Sequence, residues 1–205
     1  MSKPPANPYS PLPGFDVQPP PPPAAPAVAP DVYAVFTGQI DANTVQRLFN
    51  SLTGAMGGGH THIHLLFHSP GGAPSDGIAL YNFFRGLTVD LTLYNVGSVA
   101  SAAVTAYLGA KYRKTSKYGS FMLHKTFINP INATVDKLKN TSRSLLLDDT
   151  RTEAILKERT KLTPEQWEIR RTGDLWLSAD DALAAGIATE IAEFAPPAGY
   201  RIFNI

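Results

Sequence analysis

The feature that most constrains this chain is its regular alternation of short apolar runs with longer amphipathic ones. Residues 32–37, 63–67 and 91–94 are compact apolar runs, the pattern of strands buried in a sheet. Between the first two, Val45, Leu48, Phe49 and Leu52 recur at helical spacing behind Asp41, a candidate N-cap. Ile78, Tyr81, Phe83 and Phe84 supply the apolar contacts of a second helix over 78–87. Gly38 and the glycine-rich run 54–59 break the elements. Such alternation predicts an α/β domain around a mainly parallel sheet.

The pattern continues to the C-terminus. Residues 112–115 and 120–123 predict two short strands. Residues 133–161 carry one long helical pattern, with Leu138, Leu145, Ile155 and the following Leu162 as apolar points. It is too polar to be buried all round, so it should project or pack on another subunit. Thr163 and Pro164 open a further helix. Residues 175–177 read as a strand, Ser178 caps a helix ended by Gly186, and 187–191 close the fold as a strand. Residues 192–205 receive no assignment.

Residues 1–31 are different material. They hold twelve of the 18 prolines, which forbids regular helix or sheet and predicts an extended or disordered tail. That tail is a spacer, or a ligand for an aromatic-lined groove. The globular domain is expected over 32–205. A formal net charge of +1 gives no electrostatic case for nucleic acid. The absence of cysteine removes disulfides and thiol chemistry. No run approaches the roughly 18 apolar residues of a spanning helix, and the start lacks the pattern of a secretory signal. The expectation is a soluble, cytoplasmic protein without membrane contact.

The strand at 91–94 runs into Gly97, Ser98 and Ser101, and small, apolar, helix-forming residues follow from Ala102. A turn eased by Gly97 would set Ser101 at a helix start, where free N–H groups and the helix dipole favour developing negative charge. The alternative is a pair of capping serines. Ser69-Pro70-Gly71-Gly72 follows the second strand and can present a backbone N–H to an oxyanion; it is otherwise a tight turn. His124 ends the strand at 120–123 and can act as a general base, or is a solvated strand-end residue. Asp174 precedes the apolar run 175–177 and can orient a histidine, or is a turn residue. Asp148, Asp149, Asp180 and Asp181 read as caps and a solvated helix face.

Two clusters carry less. His60, His62 and His64 share a spacing of two, which suggests one strand face, but no carboxylate lies on that strand to complete a metal site. Lys111, Arg113, Lys114 and Lys117 read as a solvated strand edge rather than a nucleic-acid surface. There is no phosphate loop, so the chain should not itself hydrolyse ATP. No cofactor or metal is expected.

In order, these motifs are Phe36-Thr37-Gly38-Gln39-Ile40-Asp41, Ser69-Pro70-Gly71-Gly72, Gly97 to Ala103 around Ser101, Met122-Leu123-His124, and Asp174 followed by Leu177-Ser178-Ala179 and Gly186. The set resembles the proteolytic subunit of the Clp protease, a serine peptidase of crotonase-like fold, over roughly 33–191. The resemblance implies Ser101 as nucleophile, His124 as base and Asp174 as its orienting residue. It also implies Gly71 and Ala102 as oxyanion donors. It implies heptameric rings, often stacked, enclosing the serines, with the helix at 133–161 as ring-to-ring handle and a separate AAA+ ATPase feeding peptides or unfolded proteins. The chain departs from that pattern in several places: Lys125-Thr126 after the histidine, Asn129-Pro130-Ile131-Asn132 beyond it, Gly173 before the aspartate, Ala102 after the serine, and a proline-rich segment in place of the N-terminal axial loop. Two further readings remain at this point: a crotonase-like enzyme acting on acyl thioesters, and a non-catalytic ring subunit that recruits partners through its tail.

Overall fold

The computed structural model describes residue 1 and residues 30–127 and 134–205. Almost all of the proline-rich segment, and the departure at Asn129 to Asn132, lie outside the described residues.

Nine strands and six helices form among the described residues. The first strand is β1 (Asp31–Thr37), followed by α1 (Ala42–Gly57), β2 (His62–His68), α2 (Pro74–Gly86), β3 (Asp90–Asn95), β4 (Ser98–Ala100) and α3 (Ala102–Tyr107). Then come β5 (Tyr112–Thr115), β6 (Ser120–Leu123), α4 (Val135–Arg159), α5 (Pro164–Thr172), β7 (Leu175–Leu177), α6 (Ala179–Ala184), β8 (Glu190–Ile191) and β9 (Ile202–Asn204). Six strands make one parallel sheet in the order β8-β5-β3-β2-β1-β9. A second sheet, β4-β6-β7, pairs β4 with β6 in parallel and β6 with β7 antiparallel. This is the expected mainly parallel α/β fold wrapped by helices.

Local chemistry explains the boundaries. Asp41 and Thr44 form a reciprocal capping box at the start of α1, and Val45, Leu48 and Leu52 are buried beneath it. Pro74 occupies the first turn of α2, so that helix starts earlier than the apolar spacing suggests. On β2, Ile63, Leu65 and Phe67 are buried while His62, His64 and His68 are half-buried. One face of the large sheet therefore meets the helices, and the Phe36 ring stacks on Phe67 at 5.3 Å within that core. Glycine permits a close helix crossing: a Cβ on Gly77 would lie 2.5 Å from the carbonyl oxygen of Ala102, and one on Gly109 2.5 Å from that of Tyr81. These contacts press α2 against α3, whose six residues are all buried.

Several expectations are corrected. The closing strand is only Glu190–Ile191, because Ile187 and Ala188 bond back to Ala182 in the turn after α6. The unassigned tail supplies β9, which pairs with β1. Arg113 is not part of a solvated edge. It is 7% exposed and donates to the carbonyls of Ile187, Ala110 and Gly186, tying β5 to that turn. The long helix α4 is mostly exposed as expected, with Leu146 and Leu147 turned to solvent and Leu156 its buried apolar anchor.

Candidate active site

Ser101 sits between β4 and α3 with φ 55 and ψ −126. It is the single non-glycine residue of positive φ among the described residues. Such a conformation costs free energy and persists only where the surroundings impose it. Here they do. The Ser101 N–H donates to the Met122 carbonyl at 2.7 Å, and the Ala100 N–H donates to Ser69 at 3.0 Å. The strain lies on the serine itself and not on Gly97, and β4 intervenes between them. Ser101 makes no side-chain capping bond, so the capping reading fails for it. Ser98 lies within β4.

The pairing of Ala100 with Met122 sets β6 beside the elbow, and the chain leaves β6 at His124. The histidine Nε2 lies 2.7 Å from the Ser101 Oγ. Phe127 stands beside the imidazole with ring centroids 5.2 Å apart. The segment is held from α4, where the Asp149 carboxylate accepts the Thr126 N–H at 2.8 Å. Asp149 is therefore not a solvated helix-face residue. Nor is Asp148, which is buried, pairs with Arg151 and accepts from the Ser75 hydroxyl. Asp181, by contrast, belongs to the capping box of α6, and hydrogen bonds from Ser178 hold its carboxyl below the ordinary range.

Gly71 and Gly72 take φ of 95 and 155. A Cβ on Gly71 would lie 2.7 Å from the Ser101 Cβ and 3.2 Å from the Ala102 nitrogen, so only glycine lets this loop meet the elbow. Ala102 is the first residue of α3, where a helix leaves its N–H groups without internal partners. The Gly71 N–H donates to the Ser69 hydroxyl at 3.1 Å. An oxyanion at this position would compete with that hydroxyl. The cavity over the serine has a volume of about 370 Å³ and is bordered by Gly72, Ser101, Ala102, His124, Arg170 and Asp174.

Asp174 thus reaches the same cavity as the Ser–His pair. It is exposed, and among the described residues it makes no hydrogen bond to His124 or to any other group. Sequence reasoning missed Arg170. It is 2% exposed and borders the cavity, and its Nε and Nη2 have no hydrogen-bond partner among the described residues. Burial pushes its pKa down, opposed by the charges of Asp149 and Glu153. The residue types around it carry no signal of this, because its burial depends on where α5 packs.

Fold and site together define an α/β domain built around a Ser–His pair at a strand-to-helix elbow. The chain belongs to the Clp protease family: a family profile described as Clp protease matches residues 30–195. The chain is 28% identical over 133 residues to an ATP-dependent Clp protease proteolytic subunit 2 of Pseudomonas aeruginosa, covering 63% of this chain and 65% of that protein. It is 30% identical over 138 residues to a proteolytic subunit 1 of Gloeobacter violaceus, covering 65% of this chain and 68% of that one. The chain thus spans about two thirds of the length of these relatives. Among solved structures, a point mutant of ClpP1 from Listeria monocytogenes shares the fold with a TM-score of 0.68 at 21% identity, over 80% of this chain and 92% of that one.

Proposed function

We propose that the chain is a self-compartmentalising serine endopeptidase acting on peptides or unfolded proteins. The observation that carries the reading is the 2.7 Å contact between Ser101 and His124 at a strained elbow. Ser101 Oγ attacks the scissile carbonyl carbon while His124 Nε2 takes its proton. The N–H groups of Gly71 and Ala102 receive the oxyanion, the former leaving Ser69 to do so. The C–N bond then breaks, His124 returns the proton to the leaving amine, and water releases the acyl group by the reverse steps. Asp174 orients His124 in this scheme. Nothing among the described residues holds its carboxylate elsewhere, and catalytic hydrogen bonds often tighten only once substrate binds.

The same reading carries a cytoplasmic homo-oligomeric ring fed by a separate AAA+ ATPase. Membership of the family supports it, as do Leu146 and Leu147, exposed on α4 where a second ring would meet it. Among the described residues no helix is long and apolar enough to cross a membrane. The test of the chemistry is labelling with a fluorophosphonate. Wild type labels and Ser101→Ala does not; equal labelling of both, or of neither, overturns it. The mass of the full chain in solution tests the ring.

A further inference from the structure

At the other end of β2 from the Ser–His site, roughly 20 Å along the strand, two histidines and an aspartate converge. His62 and His64 project from one face of β2, and Asp31, at the start of β1, sits in register opposite His62. The carboxylate absent from the histidine strand thus comes from its neighbour. Asp31 Oδ1 lies 3.2 Å from His64 Nε2 and 3.6 Å from His62 Nδ1. The three donor atoms all fall within 4.8 Å of one another. His60 precedes the strand and is not part of this set.

We propose that Asp31, His62 and His64 form a binding site for one late first-row divalent cation of the zinc class. The spacing fits. Zn–N and Zn–O bonds of about 2.1 Å in tetrahedral array put ligand atoms about 3.4 Å apart, between the two distances to the carboxylate oxygen. The donor chemistry fits as well. Two imidazoles and one carboxylate suit zinc, cobalt or nickel, whereas calcium and magnesium ask for shells of oxygen.

The outer contacts carry the argument further. The nitrogens of each ring that face away from the carboxylate both have hydroxyl partners. His62 Nε2 lies 2.8 Å from Thr92 Oγ1, and His64 Nδ1 lies 3.0 Å from the Tyr94 hydroxyl. A hydroxyl can accept the imidazole N–H, which leaves the lone pairs of His62 Nδ1 and His64 Nε2 directed at the shared point. Ring packing fixes the pair: Tyr33 stacks on His64 at 4.5 Å, and His64 on His62 at 4.1 Å. The side chains of Asp31 and His62 are 33% and 29% exposed, so an ion can enter and keep a water ligand.

Titration of the full metal-free chain with Zn²⁺ by calorimetry, and with Co²⁺ by visible absorption, tests the site. One equivalent should bind per chain, with the intense bands of four-coordinate cobalt and a raised melting temperature. His62→Ala and His64→Gln should each weaken binding at least tenfold, and Asp31→Asn several-fold. Circular dichroism confirms that each variant is folded, and fluorophosphonate labelling should not change. No stoichiometric uptake by the wild type at micromolar zinc overturns the proposal. So does uptake that all three variants retain, since the ion then sits elsewhere and the cluster is only a hydrogen-bond network.

Discussion

Replacing Ser101 by glycine should make the protein more stable than replacing it by alanine. Both changes delete the hydroxyl and its bond to His124, so their difference isolates the backbone. At φ 55 and ψ −126 any residue with a Cβ is strained, at a cost of about 1–3 kcal/mol. Glycine occupies the region freely but gains about 0.5–1 kcal/mol of unfolded-state entropy. Taking the middle of each range leaves a surplus of about 1 kcal/mol in favour of Ser101→Gly. For a domain of this size it corresponds to about 2–4 °C in melting temperature. No capping bond confuses the comparison, because the Ser101 side chain makes none to the helix. Calorimetry of the two variants at equal concentration and equal oligomeric state reads the difference. If Ser101→Gly melts at or below Ser101→Ala, the strain argument is wrong, and the elbow is not a place where stability is given up for geometry.

Gly77→Ala puts a Cβ 2.5 Å from the Ala102 carbonyl; the overpacking should cost about 1–3 kcal/mol, and labelling of Ser101 should slow at least tenfold as α3 moves. An unchanged melt and labelling rate would refute this. Asp174→Asn should lower kcat by roughly a hundredfold or more with little change in melting temperature, as expected for an exposed side chain that orients a base; unchanged turnover of a peptide substrate would remove Asp174 from the mechanism. Hydrogen bonds from Thr44 hold the Asp41 carboxyl below its usual range. The folded state therefore binds this proton more weakly than the unfolded chain, and the contribution is complete above the ordinary carboxylate pKa and lost as pH falls through the lowered one. The gap in melting temperature between wild type and Asp41→Asn should shrink from about pH 5 to about pH 3; a gap constant over that range would refute the assignment.

What could be read in advance follows from how local each cause is. The Asp41 cap, the Thr163-Pro164 helix start and the strands at 112–115 and 120–123 depend on residues a few positions apart, and they stand as expected. Ser101, His124 and Gly71 come together because each follows the C-terminal end of a strand, and the largely parallel arrangement gathers such ends. Other features depend on distant packing. Asp31 meets His62 only through strand register, Arg113 is buried by a turn 73 residues on, and Arg170 is enclosed by its position against the cavity. The strain at Ser101 was invisible for a different reason. A serine carries no local preference for that backbone angle, and it is β6 and the Ser69 backbone that impose it.

These restraints differ in a way that bears on the reaction. The Ser–His pair is fixed by backbone hydrogen bonds among β4, β6 and the end of β2, and from behind by the Gly77 crossing. These restraints all lie within one chain, and Ser69, Ala100 and Gly77 among them are buried. Asp174 hangs on the turn between α5 and β7, exposed and without a hydrogen bond among the described residues. The pair is therefore set by folding, whereas the alignment of the aspartate is left to whatever restrains that turn. On the proposed mechanism, a restraint on that turn would complete the site without moving the serine. The proposed nucleophile and base are thus placed by the fold of one chain, whereas the proposed orienting carboxylate hangs on the exposed α5–β7 turn.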